Sequence, residues 1–240
     1  MKIPLLSKLS LAILVVLVSF TVTDAKRRRP PGGRLAIVID ERLSALRATP
    51  ELSGALLRRV SRGGLVAITA ATTNREGIVF YRVNVSRAVG GWMQRDAVVS
   101  LSRAGDDARL LRLIKASEDF DRVARARVFL DYFRLSPLRP EVLMIYSLAA
   151  EDVANRLSHD ARRRLDETEM LAGGAPVFSY FLNYYGLDRY NRQGITFVFD
   201  RRQNRFRYDG EGWREIVHRY PNSPQAVEAR KRLGEAALSH

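Results

Sequence analysis

Cysteine is absent from this chain of 240 residues. Its absence excludes disulfide bonds, a thiol nucleophile, cysteine ligands to zinc and a lipid attached to a cysteine. Any exported domain built from this sequence must therefore be stabilised by packing alone. A hydrophobic fraction of 46% is sufficient for a core in each of two small domains.

Histidine is scarce, and phosphate-binding glycine loops are missing. The three histidines, at positions 159, 218 and 240, have no metal-ligand spacing, and no glycine pair has the neighbours of a nucleotide-binding loop. Four acidic residues are candidates for a metal or acid–base cluster: Glu118, Asp119, Asp121 and Asp131. Their spacing scatters them around a helix with arginines interleaved, which favours an ion-paired surface instead. We therefore predict a protein that is not an enzyme and has no catalytic residue, metal site or cofactor.

Lysine is also rare, since 35 of the 40 basic residues are arginine. This bias arises from a GC-rich genome as readily as from selection for phosphate binding. The net charge of +14 still predicts attraction to an anionic surface, such as lipid headgroups, an acidic wall polymer or nucleic acid. The net charge alone does not distinguish among these three kinds of surface.

The first 25 residues have the pattern of a signal peptide: Lys2 and Lys8 are followed by an apolar run over 9–22 and small residues over 23–25. We predict export to the periplasm or cell envelope. A retained membrane anchor is the alternative, because the basic residues at 26–29 favour cytoplasmic retention. Residues 26–33 contain Pro-Pro-Gly-Gly and predict a basic linker.

Short strand-like runs then follow at 35–39, 65–69, 78–85 and 92–99. Strand-like residues give way to helical spacing after Leu101, so we predict an α+β chain. Its first domain, 34–100, is a small β-barrel, and its second, 105–240, is helical with a β-hairpin near 195–209.

The first domain resembles bacterial SH3-type domains. The resemblance rests on Ser44-Ala45-Leu46-Arg47, on 58–64 and on Tyr81-Arg82-Val83 with Gly91-Trp92-Met93. The first phrase departs from the family, which usually has Asn-Val-Arg there. The resemblance implies an SH3-like barrel that recognises a peptide or a peptidoglycan-type wall fragment.

Three residues are candidate ligand contacts in such a barrel. Tyr81 and Trp92 stand on its two closing strands, and Arg47 would orient an acidic group. Trp92 is alternatively a half-buried core residue, and the whole barrel is alternatively a structural spacer.

The end of the chain resembles tetratricopeptide-like proteins of the cell envelope over residues 211–238. The phrase Tyr220-Pro221-Asn222-Ser223-Pro224 opens its last helix, and Phe133-x-x-Ser136-Pro137 is a weak echo of it. The resemblance implies paired helices that bind a protein partner.

We therefore predict an exported, non-catalytic binding or scaffolding protein of the cell envelope. The alternative is a membrane-anchored or cytosolic basic protein that binds nucleic acid through the arginines and aromatics of 201–208. Alternation along a strand disfavours nucleic acid, because it turns the aromatics to the core and the arginines to water. The sequence does not predict the oligomeric state.

Overall fold

The computed structural model describes residue 30 and residues 32–238. The predicted signal peptide and most of the predicted linker lie outside the described residues. The strands are β1 (Arg34–Val38), β2 (Ala45–Arg47), β3 (Leu56–Arg59), β4 (Leu65–Thr73), β5 (Val79–Asn84), β6 (Gly90–Gln94), β7 (Val98–Ser100), β8 (Phe197–Asp200) and β9 (Arg205–Tyr208). The helices are α1 (Asp106–Lys115), α2 (Asp119–Tyr132), α3 (Arg139–Arg164), α4 (Glu167–Ala172), α5 (Val177–Leu182), α6 (Asp188–Asn191), α7 (Glu211–Arg219) and α8 (Gln225–Leu238).

The fold is mixed α+β, with an antiparallel sheet of seven strands followed by helices. The strand order is β3-β2-β6-β5-β4-β1-β7, so β3 and β7 are the two edges. No closed barrel is found within the described residues, and the SH3-like barrel expected from the sequence is not confirmed.

The two sides of the sheet contact different cores. Ala36 and Val38 of β1 pack in a small core enclosed by the sheet, whereas Ile37 and Ile39 pack in the large core of the helices. Successive side chains of a strand point to opposite faces, so β1 is buried on both sides. The sheet is therefore attached to the helices through its β1–β7 end.

A buried arginine joins the two parts. The side chain of Arg125 on α2 is only 4% exposed. Its guanidinium donates to the carbonyl of Ile39, to Ser117 Oγ and to the Asp40 carboxylate at 3.3, 2.5 and 3.3 Å. A hydrogen bond from Arg42 lowers the pKa of Asp40 and outweighs the opposing effect of burial. Asp40 is thus held ionised beside Arg125.

Two helix–turn–helix units share one turn geometry. In each, an aromatic N–H closes the first helix, a serine N–H donates to that aromatic carbonyl, and the serine carbonyl accepts from the next helix. The α2–α3 turn has Phe133 to Phe129 (2.8 Å), Ser136 to Phe133 (3.2 Å) and Arg139 to Ser136 (3.1 Å). The α7–α8 turn has Tyr220 to Ile216 (2.9 Å), Ser223 to Tyr220 (3.0 Å) and Ala226 to Ser223 (3.0 Å). The sequence echo at these positions therefore marks a repeated structure.

The second unit stacks on the first through α3. Arg139 of α3 donates to Glu215 of α7 at 2.9 Å. Glu151, also on α3, accepts from the Trp213 indole at 2.7 Å and from Arg232 of α8 at 2.9 Å. Trp213 is only 2% exposed, so its indole satisfies a polar group while its ring fills the core.

The segment between α3 and α7 contains three short α-helices, a 3-10 helix (Tyr185–Leu187) and the β8–β9 hairpin. Phe206 N donates to the buried Ser158 Oγ of α3 at 2.7 Å, which fixes the hairpin on that helix. Phe181 stacks on Phe199 and meets Phe206 edge to face. No helix in the described part of the chain is both long and apolar enough to cross a membrane.

Candidate ligand-binding surface of the sheet

Trp92 lies at the centre of a row of side chains on the outer face of the sheet. Arg47 on β2 pairs with Trp92 on β6, and Trp92 pairs with Arg82 on β5. Directly opposed residues of antiparallel strands point to the same face. Arg82 is exposed, whereas Trp92 and Arg47 are half-buried. We call these three residues the Trp92 row.

Tyr81 lies on the other face. It pairs with Met93, and both side chains pack in the core enclosed by the sheet. Tyr81 is 8% exposed, and its hydroxyl accepts a hydrogen bond from Arg103 at 3.1 Å. The structure therefore brings together two of the three sequence-predicted contacts, Trp92 and Arg47, and separates Tyr81 from them because it is one residue out of phase.

Arg47 also has a role in positioning. Its Nη1 donates to the carbonyl of Gly54 at 2.7 Å, which holds the loop between β2 and β3. That loop is tied to the β4–β5 turn by a hydrogen bond of 3.3 Å from Asn74 to Glu51. Arg47 consequently shapes one wall of the surface as well as supplying charge beside Trp92.

Close packing of β2 on β6 requires glycine next to Trp92. A Cβ atom on Gly91 would lie 2.7 Å from the Arg47 carbonyl and 2.9 Å from Leu46 Cγ. These distances are shorter than any ordinary carbon contact, so a larger residue would push the two strands apart. Gly91 thus sets the spacing between Arg47 and Trp92.

Strand β3, which the sequence pattern does not predict, extends this surface. Leu56 continues the Trp92 row because it pairs with Arg47. Leu56 and Leu57 are 54% and 52% exposed, and Arg58 and Arg59 follow them. The run Leu-Leu-Arg-Arg does not alternate, and a register shift in β2–β3 pairing explains why. The two leucines beside two arginines are the sequence signal from which β3 could have been predicted.

The surface has an excess of positive charge. Four arginines lie on the strands that carry Trp92 and Leu56 or adjoin them, and Arg58 among them is on the opposite face of β3. None of the four makes an ion pair with any acidic residue that the structure describes: Arg47, Arg58, Arg59 and Arg82. Arg59 only donates to the carbonyls of Glu41 and Arg42, both at 3.4 Å. An acidic ligand could therefore pair with these arginines without first breaking an ion pair within the protein.

The helices carry a groove along α3. Two adjoining cavities, of about 550 and 390 Å³, share the ion pair of Asp119 and Arg156. Asp121 pairs with Arg62 at 2.8 Å, and Asp131 with Arg127 at 3.0 Å. Three of the four acidic residues singled out from the sequence, Asp119, Asp121 and Asp131, are thus ion-paired.

The basic hairpin does not present a stacking surface. Phe206 is buried, Arg207 pairs with Asp200, and Arg201 covers the ring of Phe178. Burial raises the pKa of Tyr208 to about 12, and its hydroxyl accepts from the Gly212 N–H at 2.6 Å. The aromatics of this segment therefore contribute to the helical core, which leaves little ring surface for bases.

The described residues include no group of three or more histidine and acidic side chains that could hold a metal ion. Comparison with protein-family models, with curated proteins and with solved structures finds no significant match.

Proposed function

We propose that this chain is a non-catalytic binding or scaffolding protein of the cell envelope, and that the Trp92 row is its ligand site. The observation that carries this proposal is a half-buried tryptophan between two arginines, next to exposed leucines on an edge strand. An aromatic ring with part of its face in water offers contact area at low entropic cost. Arginines on either side give the ligand an orientation.

Two resemblances support a scaffolding role. The order of short strands over 34–100 suits an SH3-like module that recognises a peptide or a peptidoglycan-type fragment. The two stacked helix–turn–helix units, which share a turn geometry, suit a tetratricopeptide-like module that holds a protein partner. The signal-like segment at 1–25 favours the envelope over nucleic acid as the setting.

The test is binding of the purified protein to isolated peptidoglycan in a sedimentation assay and to acidic peptides by fluorescence anisotropy. Trp92→Ala should weaken binding of the true ligand about tenfold or more, because a central aromatic anchor is lost. Tyr185→Ala, at an exposed aromatic on the helices, is the matched control. Unchanged affinity for every ligand that the wild type binds, in a Trp92→Ala protein shown to be folded, would reject the proposal.

A further inference from the structure

Strand β3 lies at an edge of the sheet, so one side of its backbone has no neighbouring strand. Val60 N donates to the Ser44 carbonyl at 3.3 Å, and Leu46 pairs with Arg58. Inward and outward backbone groups alternate along an antiparallel strand. The N–H and C=O of Arg59, between Arg58 and Val60, therefore point away from β2. No strand lies beyond β3 in the described sheet.

The side chains at this edge differ between the two faces. Leu56 is on the outer face with the Trp92 row, because it pairs with Arg47. Arg58 is on the opposite face, because it pairs with Leu46, whose side chain packs in the enclosed core. An added strand would therefore place alternate residues against Leu56 and against Arg58.

Charge decides against a second copy of this chain as the occupant. Pairing β3 with itself would bring Arg58 and Arg59 of both chains into one short ladder. Like charges across a ladder are destabilising, and the net charge of +14 adds a general repulsion. The same arginines attract an acidic partner, since none of them is committed to an ion pair with a described residue.

We propose that β3 binds an extended acidic peptide by strand addition. The peptide forms backbone hydrogen bonds with the outward groups around Arg59, places its apolar residues toward Leu56 and its acidic residues toward Arg58. This inference rests on the proposed function, because it names the ligand class of the same surface. It favours a peptide over a glycan, since only a peptide supplies the alternating amide donors and acceptors.

The probe is a fluorescent hexapeptide of alternating glutamate and valine, added to the full chain and followed by anisotropy. Two further versions carry N-methyl groups, one on every valine amide and the other on every glutamate amide. Only one of these two sets can face β3. Strand addition predicts that one methylated peptide binds at least about tenfold more weakly and the other within about threefold of the parent.

Arg58→Glu tests the charge, with Arg202→Glu as a control of equal charge change at an exposed arginine of the β8–β9 turn. Arg58→Glu should weaken binding of the parent peptide by about tenfold or more, and Arg202→Glu should weaken it by less than about twofold at physiological salt. Equal affinity of both methylated peptides, or equal losses in the two variants, would overturn strand addition.

The outcomes separate this inference from the proposed function. Binding that depends on Trp92 but tolerates both methylation patterns keeps the ligand site and overturns strand addition. Trp92-dependent binding of isolated peptidoglycan, with no binding of the peptide, also keeps the ligand site and overturns strand addition. If neither the peptide nor peptidoglycan binds in a Trp92-dependent way, both proposals fail.

Discussion

The two edges of the sheet, β7 and β3, have opposite surroundings. At β7, the outward Val98 carbonyl accepts from Arg109, and the outward Ser100 N–H donates to Asp106 at 2.7 Å, both from α1. All three residues of β7 are buried. At β3, every residue is exposed, and no described side chain is hydrogen-bonded to the outward backbone. We call β7 with its neighbour β1 the covered edge and β3 the open edge.

In the proposed function, this difference lets one sheet serve both as scaffold and as binding surface. An unpaired strand edge is an aggregation hazard unless it is covered or carries charge. The covered edge is protected by a helix that supplies hydrogen bonds to its backbone. The open edge is protected by arginines and a register shift, which leave it accessible to a partner of opposite charge.

The largest expected effect is at the covered edge. Ile37 is fully buried between the sheet and the helices, so Ile37→Ala should lower the free energy of unfolding by about 2 to 5 kcal/mol. Leu57→Ala, at the open edge, should change it by less than about 0.5 kcal/mol. Urea unfolding of both variants measures this contrast. Similar losses in the free energy of unfolding would show that the two edges contribute equally to stability.

The hydrogen bond that covers β7 gives a smaller effect. Asp106→Ala removes the carboxylate that accepts from the buried Ser100 N–H, and should cost about 1.5 to 3 kcal/mol. Glu76→Ala, at an exposed acid of the β4–β5 turn, is the matched control and should be close to neutral. A neutral Asp106→Ala variant would mean that the covered edge does not need this bond.

A pH-dependent effect is expected where β1 leads into the helices. Arg42 holds the pKa of Asp40 below its ordinary value, so the ionised carboxylate stabilises the folded state above that ordinary value. This contribution is lost as the pH falls through the lowered pKa. The stability difference between wild type and Asp40→Asn should therefore be largest near neutrality and shrink below about pH 4. Asp188→Asn, at an exposed acid without an ion pair to any described residue, is the matched control. A constant Asp40→Asn difference across this range would contradict the assignment.

The mixed fold could be predicted from the sequence, but the contacts that connect the sheet with the helices could not. Apolar runs predicted strands ahead of helices, and the shared aromatic-x-x-Ser-Pro phrase marked both helix turns. An uninterrupted run such as 35–39 is compatible with burial on one face or two, so it did not reveal that Ile37 packs on the helices. Arg125 gave no local signal, because its partners Ile39 and Asp40 are distant in sequence.

The candidate site was predicted in part. Trp92 and Arg47 lie side by side, whereas Tyr81 faces the core because successive residues of a strand point to opposite faces and Tyr81 precedes Arg82 of the Trp92 row. Strand β3 escaped detection because a register shift breaks its alternation. Its exposure depends on its place at the edge of the sheet, which is a property of the topology and not of the local sequence.

Hydrogen–deuterium exchange of the full chain, with and without the alternating glutamate–valine peptide, tests the central comparison most directly. Amides of β1 and β7 should exchange only on global unfolding, whereas the outward Arg59 amide should exchange rapidly and become protected when the peptide is added. Slow exchange of Arg59 in the protein alone, or peptide protection that falls on β1 and β7 instead, would contradict the assignment of β3 as the open, ligand-binding edge.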